Sequence, residues 1–170
     1  MRELQRYEEA LAMSSRYDKC IKTPLLSWDV YARHLHLHSD YAEDLKKLKI
    51  LSKNWNFGRD YADELFRKDS VIVVTNPDLK IIYASHNIRK MNGYTPEEIV
   101  GKSPKMFQGQ DTDQETSLRI KQAVRNELPF VEKIINYRKD KSKYDCLIQG
   151  YPVFARSGVL VNYIAFEHAA

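Results

Sequence analysis

The chain has 170 residues, 43% hydrophobic and 29% charged, which suffices for one core plus an appendage. Its 27 basic and 23 acidic residues leave a net charge of +4, and the signs alternate in EDLKKLK and RKDKSKYD, a solvated surface and no clustered nucleic-acid footprint. Cys20 and Cys146 form no C-x-x-C pair, and MRELQRYEEALAM has no apolar leader region. With no run long enough to span a membrane, the chain reads as a soluble cytoplasmic protein with two free thiols.

Residues 1–68 read as helical. Leu4, Tyr7 and Leu11 recur on one stripe. A second helix opens at Lys22-Thr23-Pro24, capped by Thr23 or Ser27, and buries Trp28, Tyr31 and Leu35. A third begins near Ser39-Asp40 and carries Tyr41, Leu45, Leu48 and Leu51, with acidic residues early and lysines late as the helix dipole favours. Residues 54–58 break the pattern before a short turn with Tyr61, Leu65 and Phe66.

From residue 69 the period becomes extended. VIVVTN (71–76) and KIIYAS (80–85) flank the turn formers Asn76, Pro77 and Asp78, a β-hairpin. Thr95-Pro96-Glu97-Glu98 is a capping box, and a longer helix is expected over 112–125 with Leu118, Ala123 and Val124 inward. Three extended segments follow: PFVEKIINYR, KYDCLIQGYPVF and VLVNYIAFE, separated by KDKS and ARSG. This order predicts an α+β domain over 69–170, a five-stranded antiparallel sheet with short helices on one face, preceded by an all-helical extension over 1–68.

Several of these segments, in this order, resemble a PAS sensory domain: IIYAS, GYTPEEIVG, KMFQG, the helix opened by Thr112-Asp113, INYRKD and NYIAFE. Within that family the likeness is to the flavin-binding light-oxygen-voltage subgroup, whose hallmark loop reads roughly GRNCRFLQG and here reads GKSPKMFQG. PLLSWDVY and the lysine-rich helix after it resemble the extension on some short, stand-alone bacterial PAS proteins. The resemblance implies a PAS fold and places Pro104 where light sensors carry the cysteine that forms a flavin adduct. Proline has no nucleophile, so adduct chemistry is excluded there, and Cys146 falls on a later strand.

The resemblance also implies a candidate pocket. Gln108 matches a glutamine that contacts the flavin ribityl chain, and Asn136 an asparagine at the ring edge. Ser103 stands for asparagine, Lys105 and Lys121 for phosphate-holding arginines, Asp145 for a second ring-binding asparagine and Glu167 for the terminal glutamine. Lysine keeps charge without the bidentate fork, and an ionised carboxylate accepts hydrogen bonds but cannot donate them. If the strands run as expected, alternation points Asp145 and Glu167 inward. Alternatively, Gln108 and Asn136 serve only backbone groups, while Phe107, Ile135 and Phe166 are ordinary core.

His34 and His38 share a helical face, but no HExxH pattern or nearby cysteine completes a metal site. No GxSxG, P-loop or kinase signature is present, so no enzymatic activity is expected. Tyr144, Tyr151 and Tyr163 are expected on the outer sheet face, where residues 1–68 would pack, within one chain or across a homodimer. The leading expectation is a PAS module that binds an unidentified small molecule or a signalling partner. A noncovalent FMN-binding light or redox sensor and a ligand-free dimerisation scaffold are the alternatives.

Overall fold

A computed structural model describes residues 40–67 and 69–169. The first two expected helices, the His34–His38 cluster and Cys20 lie outside the described residues. Helix α1 runs through 40–51, followed by a 3-10 turn at Ser52–Asn54, strand β1 at Trp55–Asn56 and helix α2 at Tyr61–Phe66. The hairpin strands are β2 (Ser70–Thr75) and β3 (Ile81–Ala84). Short helices α3 (Ile88–Asn92) and α4 (Pro96–Ile99) come next, then a 3-10 turn at Pro104–Phe107 and helix α5 (Gln114–Arg125). Strands β4 (Phe130–Tyr137), β5 (Lys143–Ala155) and β6 (Leu160–Ala169) close the fold.

The capping signals act as the residue types require. Thr95 and Glu98 form the reciprocal box at α4, and the Asp113 carboxylate accepts from the Glu115 and Thr116 amides at α5. Gly93 ends α3 at φ +82°, a left-handed conformation that a side chain would strain.

All strand pairings are antiparallel: β3, β2, β6 and β5 lie side by side, and β4 and β1 pair with different parts of β5. The sheet thus has six strands where five were expected. The additional one is the two-residue β1, whose Trp55 and Asn56 pair with Ala155 and Phe154.

Both faces of the central strands are buried, so β2 has no exposed residue along its length. Val71 and Val73 join Ile88, Ile99, Phe107 and Ile134 in the core beneath α3–α5. Ile72 and Val74, pointing the other way, join Ile164 and Phe166 under Leu48, Trp55 and Leu65 from the preceding segment. Polar clamps fix that segment in place. The Asp44 carboxylate accepts from the His86 backbone N–H at 2.9 Å and lies 2.9 Å from His86 Nδ1. Trp55 Nε1 donates to Asn162 Oδ1 at 3.0 Å, while Asn162 Nδ2 donates to the Thr75 carbonyl at 3.0 Å.

The helices of residues 40–67 thus share one compact unit with the sheet of residues 69–169. The apolar stripe of α1 is buried by the sheet, as expected for residues 40–67. Two of the three tyrosines expected outside are not there. Tyr144 and Tyr163 are buried on the helix-covered face, and only Tyr151 lies on the outer side, beneath Phe57 and with the Arg59 guanidinium 4.1 Å from its ring centroid. Strand parity explains the error, because 144 and 163 share the parity of inward residues on their strands and 151 does not.

Leu48→Ala and Leu65→Ala should each lower unfolding free energy by about 3 kcal/mol in urea titrations, since both side chains are fully buried. Ile50→Ala, at a 68% exposed position of the same helix, should change it by no more than about 0.5 kcal/mol.

Candidate functional site

Three devices hold the loop bearing the GKSPKMFQG signature. Gly101 donates its N–H to the Ile81 carbonyl at 2.7 Å, and Ile81 returns one to Lys102 at 2.9 Å. Proline at the first position starts the 3-10 turn, and Phe107, fully buried, anchors its far end. Past the turn, Gly109 donates to Thr112 Oγ1, which donates to the Ile135 carbonyl at 2.7 Å, and Asp111 meets both Tyr137 and Lys143. The chain immediately after Gln108 is thus fixed against β4.

On the next element, Arg119 of α5 makes a two-pronged contact to Glu132 of β4, at 2.8 and 3.0 Å. The Tyr163 hydroxyl of β6 donates to the Val124 carbonyl at the other end of α5, at 2.7 Å. The helix spans from one part of the sheet to another, and the space beneath it stays open. That space is a cavity of about 380 Å³.

Seven of the eight residues singled out from the sequence line this cavity: Ser103, Pro104, Lys105 and Gln108 from the loop, Lys121 from α5, Asn136 from β4 and Glu167 from β6. Lys105 and Lys121 are exposed and mark its rim; Asn136 and Glu167 are buried at its wall. The rest of the wall is mainly aliphatic, including Val73, Ile134, Ile148 and Ala165.

Asp145 does not belong to it. Its carboxylate faces outward, 2.7 Å from Lys133 Nζ, and is 43% exposed. The β4–β5 hairpin sets this register. Tyr137 pairs with Lys143 and Asn136 with Tyr144, so the inward Asn136 brings Tyr144 and Cys146 inward and turns Asp145 and its partner Ile135 away. The inward position that the resemblance assigned to a second amide is held by Cys146, one residue further on. Phe166, counted as core, is buried on the outer face under the helices.

Glu167 sits between Val71 on β2 and Ile148 on β5, both aliphatic. Burial pushes its carboxyl up from 4.5 to about 7, opposed only by a weak contact from Cys146 Sγ at 3.8 Å. The same burial, reinforced by Glu167, raises the Cys146 thiol far above its ordinary range, so it stays protonated and a poor nucleophile.

Three further residues line the site that the sequence did not place there. Thr75 lines the cavity with a buried hydroxyl that has no partner. Tyr163 lines it and holds α5, and Gly150 lines it where a Cβ would lie 2.3 Å from the Phe130 ring. Alternation along β6 from Glu167 would have found Tyr163, while Gly150 follows only once the β4–β5 register is known.

The architecture, a curled antiparallel sheet with short helices over a pocket, is that of a PAS domain. A family model for the PAS domain matches residues 68–168, and the chain belongs to that family. Among curated proteins, it is 36% identical over 93 residues to phototropin-2 of Oryza sativa subsp. japonica, covering 55% of this chain and 10% of that protein. It is 31% identical over 84 residues to blue-light-activated histidine kinase 1 of Erythrobacter litoralis, covering 49% and 23%. The chain thus spans a quarter or less of these relatives. Among solved structures, a light-oxygen-voltage domain studied with a flavin analogue superposes with a TM-score of 0.61 at 22% identity, covering 66% of this chain and 86% of that one. Among the described residues, no helix is long and apolar enough to cross a membrane.

Glu167 makes stability depend on pH in a defined sense. Its folded pKa lies above its unfolded value, so the contribution is complete below about 4.5 and is lost as pH rises towards 7. Thermal unfolding should therefore show a fall in stability across that window on the order of 3 kcal/mol, which Glu167→Gln removes.

Proposed function

We propose that this protein is a sensing module that binds a small molecule in the cavity under α5 and passes its occupancy through the sheet to the helices of residues 40–67. The single observation carrying this reading is the cavity itself. At about 380 Å³ it falls within the range of small-molecule sites and has an aliphatic body with a few convergent polar groups. A scaffold would be expected to fill that space with its own side chains.

The proposal includes no catalysis. No lining residue offers a nucleophile paired with a base, and the neighbouring thiol is held protonated. The recipient of the signal is taken to be a protein, either a second copy of this chain or a downstream partner, in keeping with relatives such as a light-activated histidine kinase.

The second reading, noncovalent FMN, is favoured by Gln108, Asn136, Lys105 and Lys121 meeting around one cavity. The donor set fits a flavin incompletely. A flavin ring edge presents two carbonyls around one N–H, and the amide of Asn136 is matched here by a carboxyl at Glu167 and a thiol at Cys146. Pro104 offers no thiol for an adduct.

The protein purified from its host should be colourless and, when denatured, release a small molecule detectable by mass spectrometry. Ala165→Leu, which fills the cavity from β6, should abolish that release while changing unfolding free energy by no more than about 1 kcal/mol. A structured flavin absorbance would select the second reading. Release of nothing, with identical wild-type and Ala165→Leu behaviour, would favour the scaffold.

A further inference from the structure

The wall of the cavity holds a carboxyl that the protein leaves without a cation. Glu167 is 4% exposed and lines the cavity, and its strand neighbours are Val71 and Ile148. The one contact to it is the Cys146 thiol, a weak donor 3.8 Å from Oε2, and no lysine or arginine acts on it. A buried carboxyl in that state is costly unless something supplies donors. A second polar group of the same cavity is Thr75 Oγ1, four residues along β2 from Val71, the strand partner of Glu167; it is buried and without a partner. Both residues line the space a ligand would fill.

Resting on the small-molecule reading above, we propose that the ligand is a planar nitrogen heterocycle whose edge carries adjacent ring and exocyclic N–H donors, paired with the Glu167 carboxylate, and whose tail is anionic. Two parallel N–H donors match two carboxylate oxygens as a guanidinium does, displacing the weak thiol contact. Asn136, on the same wall, can accept or donate to the adjoining ring atom. The exposed lysines at the rim, Lys105 and Lys121, give the anionic tail its counter-charge without the arginine fork. An edge dominated by carbonyls would instead hold the carboxyl protonated, with a single O–H donating to one carbonyl, and would release no proton.

Pairing with donors requires the carboxylate form, so binding near neutral pH must expel the proton that burial keeps on Glu167. That release is a signature independent of affinity.

The test is calorimetric titration of the full chain, stripped of bound molecules, at pH 7 in buffers of different ionisation enthalpy. Guanosine 5′-monophosphate is the donor-edge probe, inosine 5′-monophosphate lacks only its exocyclic amine, and FMN is the carbonyl-edge probe. The guanine nucleotide should bind at least tenfold more tightly than the inosine nucleotide and release a fraction of a proton. Glu167→Gln should lower its affinity at least tenfold, abolish the proton release and leave inosine nucleotide binding within threefold. An unchanged thermal midpoint at pH 5 would show that this variant is folded. Equal binding of the two nucleotides, an unaltered Glu167→Gln titration or FMN as the sole binding probe would overturn the donor-edge assignment and leave the cavity a binding site. No binding of any probe, by a protein that also releases nothing on denaturation, would overturn both.

Discussion

The structure depends on burying both faces of its central strands. An antiparallel sheet commonly has one face wet. Here β2 and β6 send alternate residues into two cores: Val71, Val73 and Ala165 towards the cavity, and Ile72, Val74, Ile164 and Phe166 towards the helices of residues 40–67. A slip of one residue would exchange the two sets and put the Glu167 carboxyl under Leu48 and Leu65, so the register is held from both sides. The same constraint couples the cavity to the helices, because one pair of strands forms a wall of each.

That constraint also explains what could be read in the sequence. The hairpin over 71–85, the Thr95 capping box, α5 and the last three strands were legible because each carries a local signal: β-branched runs, a Pro at the first helical turn, turn formers between strands. The loop at 101–109 was legible by resemblance, and its lining residues do converge. What failed was strand parity. Asp145 and Cys146 differ by one position, and the choice between them rests on how the KDKS turn pairs Tyr137 with Lys143, a matter of turn geometry that composition does not carry. Tyr144 was misplaced for the same reason, whereas Tyr163 shares the face of Glu167 on β6 and alternation along that strand places it inward. Strand β1, two residues long, has too little sequence to show a period.

Charge placement at the cavity follows a single logic. The cations stay at the rim, exposed to water, where they cost little. The carboxyl sits at the wall, beside aliphatic neighbours and a protonated thiol, where its ionised form is disfavoured. Relative to a site built from amides, this one is poorer in donors and adds a group whose protonation can answer to what binds. Pro104, meanwhile, starts the 3-10 turn, lines the cavity and offers no nucleophile.

Hydrogen–deuterium exchange on the full chain, as purified and after removal of whatever the cavity holds, tests the central claim most directly. If occupancy is transmitted through the shared strands, backbone amides of residues 40–51, across the sheet from the cavity, should change their protection together with those of β6 and α5. A change confined to α5 and the 101–109 loop, with 40–51 untouched, would contradict the account.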